Sequence, residues 1–158
     1  MTIKPDAAIQ PIRIAPCGMN CGICIGFLRD RNPCAGCFGD DGRKPRHCVI
    51  CRIKNCEELK APDKRFCFQC AKFPCARLKQ LDKRYRTKYH MSMIANLELI
   101  REIGPKEFVA RERLRWTCPD CGGVLSAHRD ACPNCGSPVN WEDGVRGSPG
   151  ADQRGNHE

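Results

Sequence analysis

Cys118-Pro119-Asp120-Cys121-Gly122 and Cys132-Pro133-Asn134-Cys135-Gly136 are two copies of one phrase, with ten residues between the cysteine pairs. A Cys-x-x-Cys loop lets two thiolates reach one ion while backbone amides point at the sulfurs. Two such loops brought together by a hairpin complete a tetrahedral zinc site. The spacing therefore predicts a zinc ribbon over residues 116–141, made of short β-hairpins, with Cys118, Cys121, Cys132 and Cys135 as the ligands.

Eleven further cysteines lie between Cys17 and Cys75, bringing the total to 15 in 158 residues. A disulfide framework is the competing explanation. It fits poorly, because an odd count leaves one thiol over and residues 1–10 hold no apolar run of the kind a signal peptide needs. No stretch approaches the roughly 18 apolar residues of a membrane span. The expectation is a reduced, cytoplasmic chain with no membrane association, a setting in which paired cysteines bind metal more often than they bridge.

Composition explains why metal is needed. Val, Ile, Leu and Phe together supply 30 of the 158 residues and the formal charge is +9, which sits at the edge of what reads as disordered. A structural zinc site contributes on the order of 10 kcal/mol to folding, comparable to the whole net stability of a domain. Two or three zinc sites would offset the missing apolar surface, and the cysteine-rich parts should be largely unfolded without metal. The fold class expected is a small, metal-stapled α plus irregular protein.

The chain divides into five segments. Residues 1–15 read as an extended lead-in and 16–76 as a cysteine-rich metal-binding domain. Residues 77–115 read as a helical segment, 116–141 as the ribbon and 142–158 as a disordered tail. In the helical segment Leu78, Leu81, Tyr85, Tyr89, Met93, Leu97 and Ile100 recur at steps of three and four, which predicts one amphipathic helix of roughly 25 residues. Gly104-Pro105 ends it and starts another, since Gly suits a C-terminal cap and Pro a first turn. Phe108, Val109 and Leu114 then carry the apolar face to Trp116.

The N-terminal cysteines admit several groupings. Cys21 and Cys24 can pair with Cys34 and Cys37, and Cys67 with Cys70 can pair with Cys48 and Cys51 or with Cys51 and Cys56. Two four-cysteine sites result, and spacing leaves Cys17, Cys75 and one of Cys48 or Cys56 over. Cys17-x3-Cys21-x2-Cys24 also has the spacing by which radical S-adenosylmethionine enzymes hold a [4Fe-4S] cluster. Only 16 residues precede the motif and most of those after it belong to other elements, which leaves too few for the many-stranded barrel of those enzymes. A plain iron-sulfur cluster with Cys75 or another cysteine as fourth ligand is the alternative to zinc here, because thiolates suit both metals.

The run Cys17-Gly18-Met19-Asn20-Cys21-Gly22-Ile23-Cys24, with Cys34-Ala35-Gly36-Cys37, Cys51 to Cys56 and Cys67-x2-Cys70-Ala71-Lys72-Phe73-Pro74-Cys75, resembles a cysteine-rich family of bacteria and archaea known as domain of unknown function 3795. The stretch from Leu81 through Ile94, then Trp116 and the ribbon, resembles its longer members. The resemblance spans about residues 15–137 and implies a metal-binding protein of no established activity. It also implies that Cys48 is an addition to the family pattern, so that Cys51 and Cys56 join Cys67 and Cys70 as ligands.

Charge adds a candidate surface. Residues 43–115 hold 20 Lys or Arg against 8 Asp or Glu, so the positive field is concentrated in the middle of the chain. Lys83, Arg84, Arg86 and Lys88, with Tyr85 and Tyr89 among them, could neutralise phosphates and stack on bases. Both tyrosines also fall on the apolar stripe, which makes them core candidates. A nucleic acid, RNA ahead of DNA, and a protein partner are the two binding roles expected.

An enzymatic reading has little to stand on. His47, His90, His128 and His157 have no orienting carboxylate beside them, although His47 abuts Cys48 and could ligate in its place. Asp40-Asp41 precedes Gly42 and reads as a turn. There is no phosphate-binding loop and no dinucleotide fingerprint. The function expected is a binding or adaptor module, with an iron-sulfur protein supporting redox chemistry or cofactor assembly as the alternative.

Overall fold

The structure, a computed structural model, describes residues 2–141, so the tail expected over 142–158 lies outside the described residues. Among the described residues six α-helices run in chain order: α1 Pro5–Ala8, α2 Ile25–Leu28, α3 Arg46–Val49, α4 Ala76–Lys88, α5 Met93–Ile103 and α6 Pro105–Arg115. The first three are single turns and share the cysteine-rich half with short 3-10 turns. The last three carry most of the regular structure. The protein is thus mainly helical and irregular, as its composition implies.

The helical segment breaks once more than its periodicity suggests. Instead of one long helix, α4 ends at Lys88, and Tyr89 to Ser92 turn the chain into α5. His90 adopts a left-handed φ of 56° in this turn. Ser92 then caps α5, its Oγ accepting from the Ala95 amide at 3.0 Å. Asp82, buried on α4, holds the corner from the other side. It accepts from Ser92 Oγ at 2.5 Å and from the Ile94 amide at 3.0 Å. The four-residue step through Tyr85, Tyr89, Met93 and Leu97 survives because both helices turn their apolar faces to one core.

Gly104, at φ 86°, ends α5, and Pro105 opens α6. The apolar stripe of α6 is Phe108, Val109 and Trp116, all buried, with Glu112 buried between them. Leu114 does not continue it: at 81% exposed it lies about 200° round the helix from Glu112, on the solvent side.

The lead-in is not extended. Pro5 starts α1, Pro11 to Arg13 form a 3-10 turn, and Ile9 and Ile14 are fully buried. With so few large apolar residues in the chain, these two are used in the core. Ile9, Ile14, Ile23, Leu78, Met93, Leu97, Ile100, Phe108, Trp116 and Leu125 belong to one cluster that also contains Cys118 and Cys132. The segment from Cys118 to Cys132 is therefore packed into the same core as the helices.

Short β-hairpins do not form among the described residues. Single antiparallel bridges, Thr117 with Val124 and Ala131 with Pro138, stand where the hairpins were expected. Each cysteine turn uses its backbone groups to close itself, and Pro138 has no amide to extend a ladder.

Candidate metal centre

The two ribbon turns are built alike. Gly122 and Gly136 take φ of 75° and 78°, which lets each amide return to the carbonyl of the first cysteine, Gly122 to Cys118 and Gly136 to Cys132, both at 2.9 Å. The Cys118 amide donates to Gly123 O at 2.7 Å and the Cys132 amide to Ser137 O at 2.8 Å, closing each loop on itself. The first turn is anchored by Leu125 N to Trp116 O at 2.8 Å and by Val124 N to Ile3 O at 3.0 Å. The second is tied down by Thr2, whose Oγ1 donates to Asn134 Oδ1 at 2.9 Å.

These turns bring four sulfurs together. Cys118, Cys121, Cys132 and Cys135 all lie within 4.8 Å of one another. Cys118 Sγ is 3.7 Å from Cys135 Sγ, and Cys121 Sγ is 3.7 Å from Cys132 Sγ. Four sulfurs each about 2.3 Å from one ion at tetrahedral angles stand about 3.8 Å apart, so the set fits a single tetrahedral ion.

The surroundings prepare these thiols to ionise. Asn134 and the Gly123 amide, which donates at 3.4 Å, lower the Cys121 thiol to about 6. The Ser137 hydroxyl and amide lower Cys135. Cys132, buried in the core, is pushed up to about 11. Two thiols eased toward ionisation at the open side and a buried thiol that resists it make a set that a cation could bring together.

The cysteine-rich half has its own sulfur neighbourhoods. Burial pushes Cys17 well above the usual thiol range, with Cys21, Cys37 and Cys67 as its sulfur neighbours. Burial likewise raises Cys21 to about 12, beside Cys37, Cys24 and Cys34, and Cys24 upward, beside Cys34. Cys37 is raised to about 11 by burial, with Cys51 and Cys48 near it. Cys48, which the resemblance sets apart from the family pattern, is also raised by burial and stands near Cys34, Cys24 and Cys51. Cys56, Cys67, Cys70 and Cys75 line one pocket under α4. All fifteen cysteines are free thiols.

The basic candidates divide. Lys83, Arg84 and Lys88 are exposed on α4, whereas Arg86 Nε is held 2.7 Å from Asp82 Oδ2. Tyr85 and Tyr89 are half-buried and pack on each other, with ring centroids 4.9 Å apart, and edge-on against His128. Their rings are spent on packing, as their place on the apolar stripe implies.

His128 docks the ribbon onto α2 and α4. Its Nδ1 accepts from the Ile25 amide at 3.3 Å, so in the neutral ring the proton sits on Nε2, which donates to Tyr85 Oη at 3.0 Å. Sequence reasoning missed this histidine and the buried Asp82, Asn20 and Glu112. Asn20 Nδ2 reaches Glu112 Oε1 at 3.5 Å, and burial raises the Glu112 carboxyl to about 7. The signals available were a carboxylate on each of two apolar helix stripes. His47 is exposed on α3, beside Cys48.

Among the described residues no helix is long and apolar enough to cross a membrane. No curated protein and no solved structure matches the chain. Residues 13–80 match the model of a family described as Protein of unknown function (DUF3795), a match that takes in all eleven N-terminal cysteines and ends within α4, before α5, α6 and the ribbon. This cysteine-rich segment, somewhat under half of the chain, is thus similar to the DUF3795 family.

Proposed function

We propose that the protein is a zinc-stabilised interaction module of a reducing compartment, in which the Cys118–Cys121–Cys132–Cys135 site fixes the ribbon against the helices. The observation that carries this reading is the pair of 3.7 Å sulfur separations. They suit one ion directly shared by four thiolates, whereas an iron-sulfur cluster interposes several irons and inorganic sulfides and would hold the cysteines further apart. Zinc has no redox chemistry, and four protein ligands leave no open position for a substrate, so the site is structural.

The exposed Lys83, Arg84 and Lys88 give α4 a surface suited to phosphates or to an acidic protein. With Tyr85 and Tyr89 turned inward, no aromatic platform stands among these cations to stack bases. Backbone charge is then all that a nucleic acid would find here, and a protein partner is the better fit.

Metal analysis and a visible spectrum of anaerobically purified protein test the reading. Zinc in a colourless protein, reduced by about one equivalent in Cys118→Ser or Cys135→Ser, is the expected result. A brown protein whose iron is lost in those two variants would replace zinc by a cluster. Unchanged metal content in both would remove the ribbon site.

A further inference from the structure

We infer that Cys56, Cys67, Cys70 and Cys75 form a second tetrathiolate site, taking one thiophilic metal centre beneath the N-terminal end of α4. The four side chains line a single pocket, walled by Ile53, Leu59, Phe73 and Leu78 and rimmed by Arg52, Arg77 and Glu58. They come from three places in the chain. Cys67 and Cys70 bracket a 3-10 turn, Cys75 is the residue that opens α4, and Cys56 ends the loop from Cys51.

Hydrogen bonds hold the Cys67–Cys70 turn and the Cys56 loop in place. The Cys67 amide donates to Pro16 O at 2.9 Å, seating the turn on the N-terminal segment. Asn55 Nδ2 donates to Cys51 O at 2.8 Å and Val49 O at 2.9 Å, folding the loop that presents Cys56. The Lys72 amide donates to Cys70 Sγ at 3.3 Å. This is the same bond, from the residue two places on, that Gly123 makes to Cys121 at 3.4 Å in the ribbon.

Arg52 and Arg77 at the rim offset the net negative charge that a divalent ion with four thiolates carries. Among the described residues only the ribbon's four sulfurs already stand within 4.8 Å of one another, so an ion here would draw its ligands in. This grouping takes Cys75, which spacing leaves unassigned, and releases Cys51 to the neighbourhood of Cys37 and Cys48.

Thiol alkylation of the intact metal-loaded chain, mapped residue by residue during chelator titration, tests the grouping without any variant. Cys56, Cys67, Cys70 and Cys75 should be protected together and become reactive together. Cys75 reacting freely while the other three stay protected, or Cys51 moving with them in its place, would overturn it. In a second arm, Cys70→Ser, Cys75→Ser and the double variant should each lose the same one metal centre, whereas separate losses that add in the double variant would refute a shared site. A visible spectrum recorded beside the metal assay distinguishes zinc from an iron-sulfur cluster, and no metal retained by these four cysteines defeats the inference for both. Because alkylation is read at each residue, failure here is distinguishable from failure of the ribbon site.

Discussion

Replacing Asp82 by Ala should loosen the corner between α4 and α5 far more than an exposed ion pair could. The carboxylate is 4% exposed and accepts three hydrogen bonds, from Ser92 Oγ at 2.5 Å, the Ile94 amide at 3.0 Å and Arg86 Nε at 2.7 Å. Loss of a helix-capping acceptor costs about 1 kcal/mol, and a buried hydroxyl left without its charged partner about 1–3 kcal/mol. The bond to Arg86, whose side chain is 42% exposed, adds only about 0.5 kcal/mol. The total is about 3 kcal/mol, which for a chain of this size lowers Tm by about 10 °C. Zinc-saturated protein followed by helical circular dichroism supplies the assay, with Arg86→Ala as the control expected to cost under about 1 kcal/mol. Burial opposes ionisation of Asp82, but Ser92, Ile94 and Arg86 outweigh it and hold its pKa below the usual value. Its contribution is therefore present above the unfolded carboxylate range near pH 4 and is lost as pH falls through the folded value. Equal small losses for Asp82→Ala and Arg86→Ala would refute the role of Asp82 at the corner and reduce it to a surface ion-pair partner.

Glu112 has the opposite sign: its folded pKa of about 7 stands above the usual value of 4.5, so stability is lost as pH rises through that window. Glu112→Gln should therefore flatten the pH dependence of stability between about pH 4.5 and 7 relative to the parent chain, and an unchanged slope would contradict the assignment. Tyr85→Phe should cost about 1 kcal/mol by removing the acceptor of the His128 Nε2 proton, and hydrogen exchange should show faster opening near Ala127 than in α5. Burial lowers the His128 pKa, so its share of stability is present above the ordinary histidine range near 6.5 and is lost as pH falls through the folded value. Reversing Lys83 and Lys88 to Glu should change stability by about 0.5 kcal/mol or less. If either lysine meets phosphates, the same change should flatten the salt dependence of RNA binding by about 0.7 log units per lost contact. No salt-dependent binding before or after would leave an acidic protein as the partner for this face.

The clustering of Cys118, Cys121, Cys132 and Cys135 could be read from sequence because Cys-Pro-x-Cys-Gly specifies a turn locally, from the proline at its second position to the left-handed glycine at its end. Gly104-Pro105 was legible for the same reason. The break at His90 was not, because the Tyr85–Tyr89–Met93–Leu97 spacing continues through it and the cause is a contact from Asp82 across the turn. The burial of Ile9 and Ile14 also escaped the local pattern, since it depends on helices and a ribbon that come about 100 residues later. The sharing of eleven N-terminal cysteines rests on how loops meet in space, and spacing alone leaves Cys75 without partners. Leu114 shows the converse error: an apolar residue was assigned to a stripe whose actual fourth member is Glu112.

X-ray absorption at the zinc edge of anaerobically purified protein tests the central claim most directly. Tetrathiolate coordination predicts about four sulfurs at about 2.3 Å with no nitrogen or oxygen in the shell, and a spectrum reduced by one site's worth of zinc in Cys121→Ser. Zinc bound through nitrogen or oxygen, or iron in its place with short metal–metal scattering, would contradict the account.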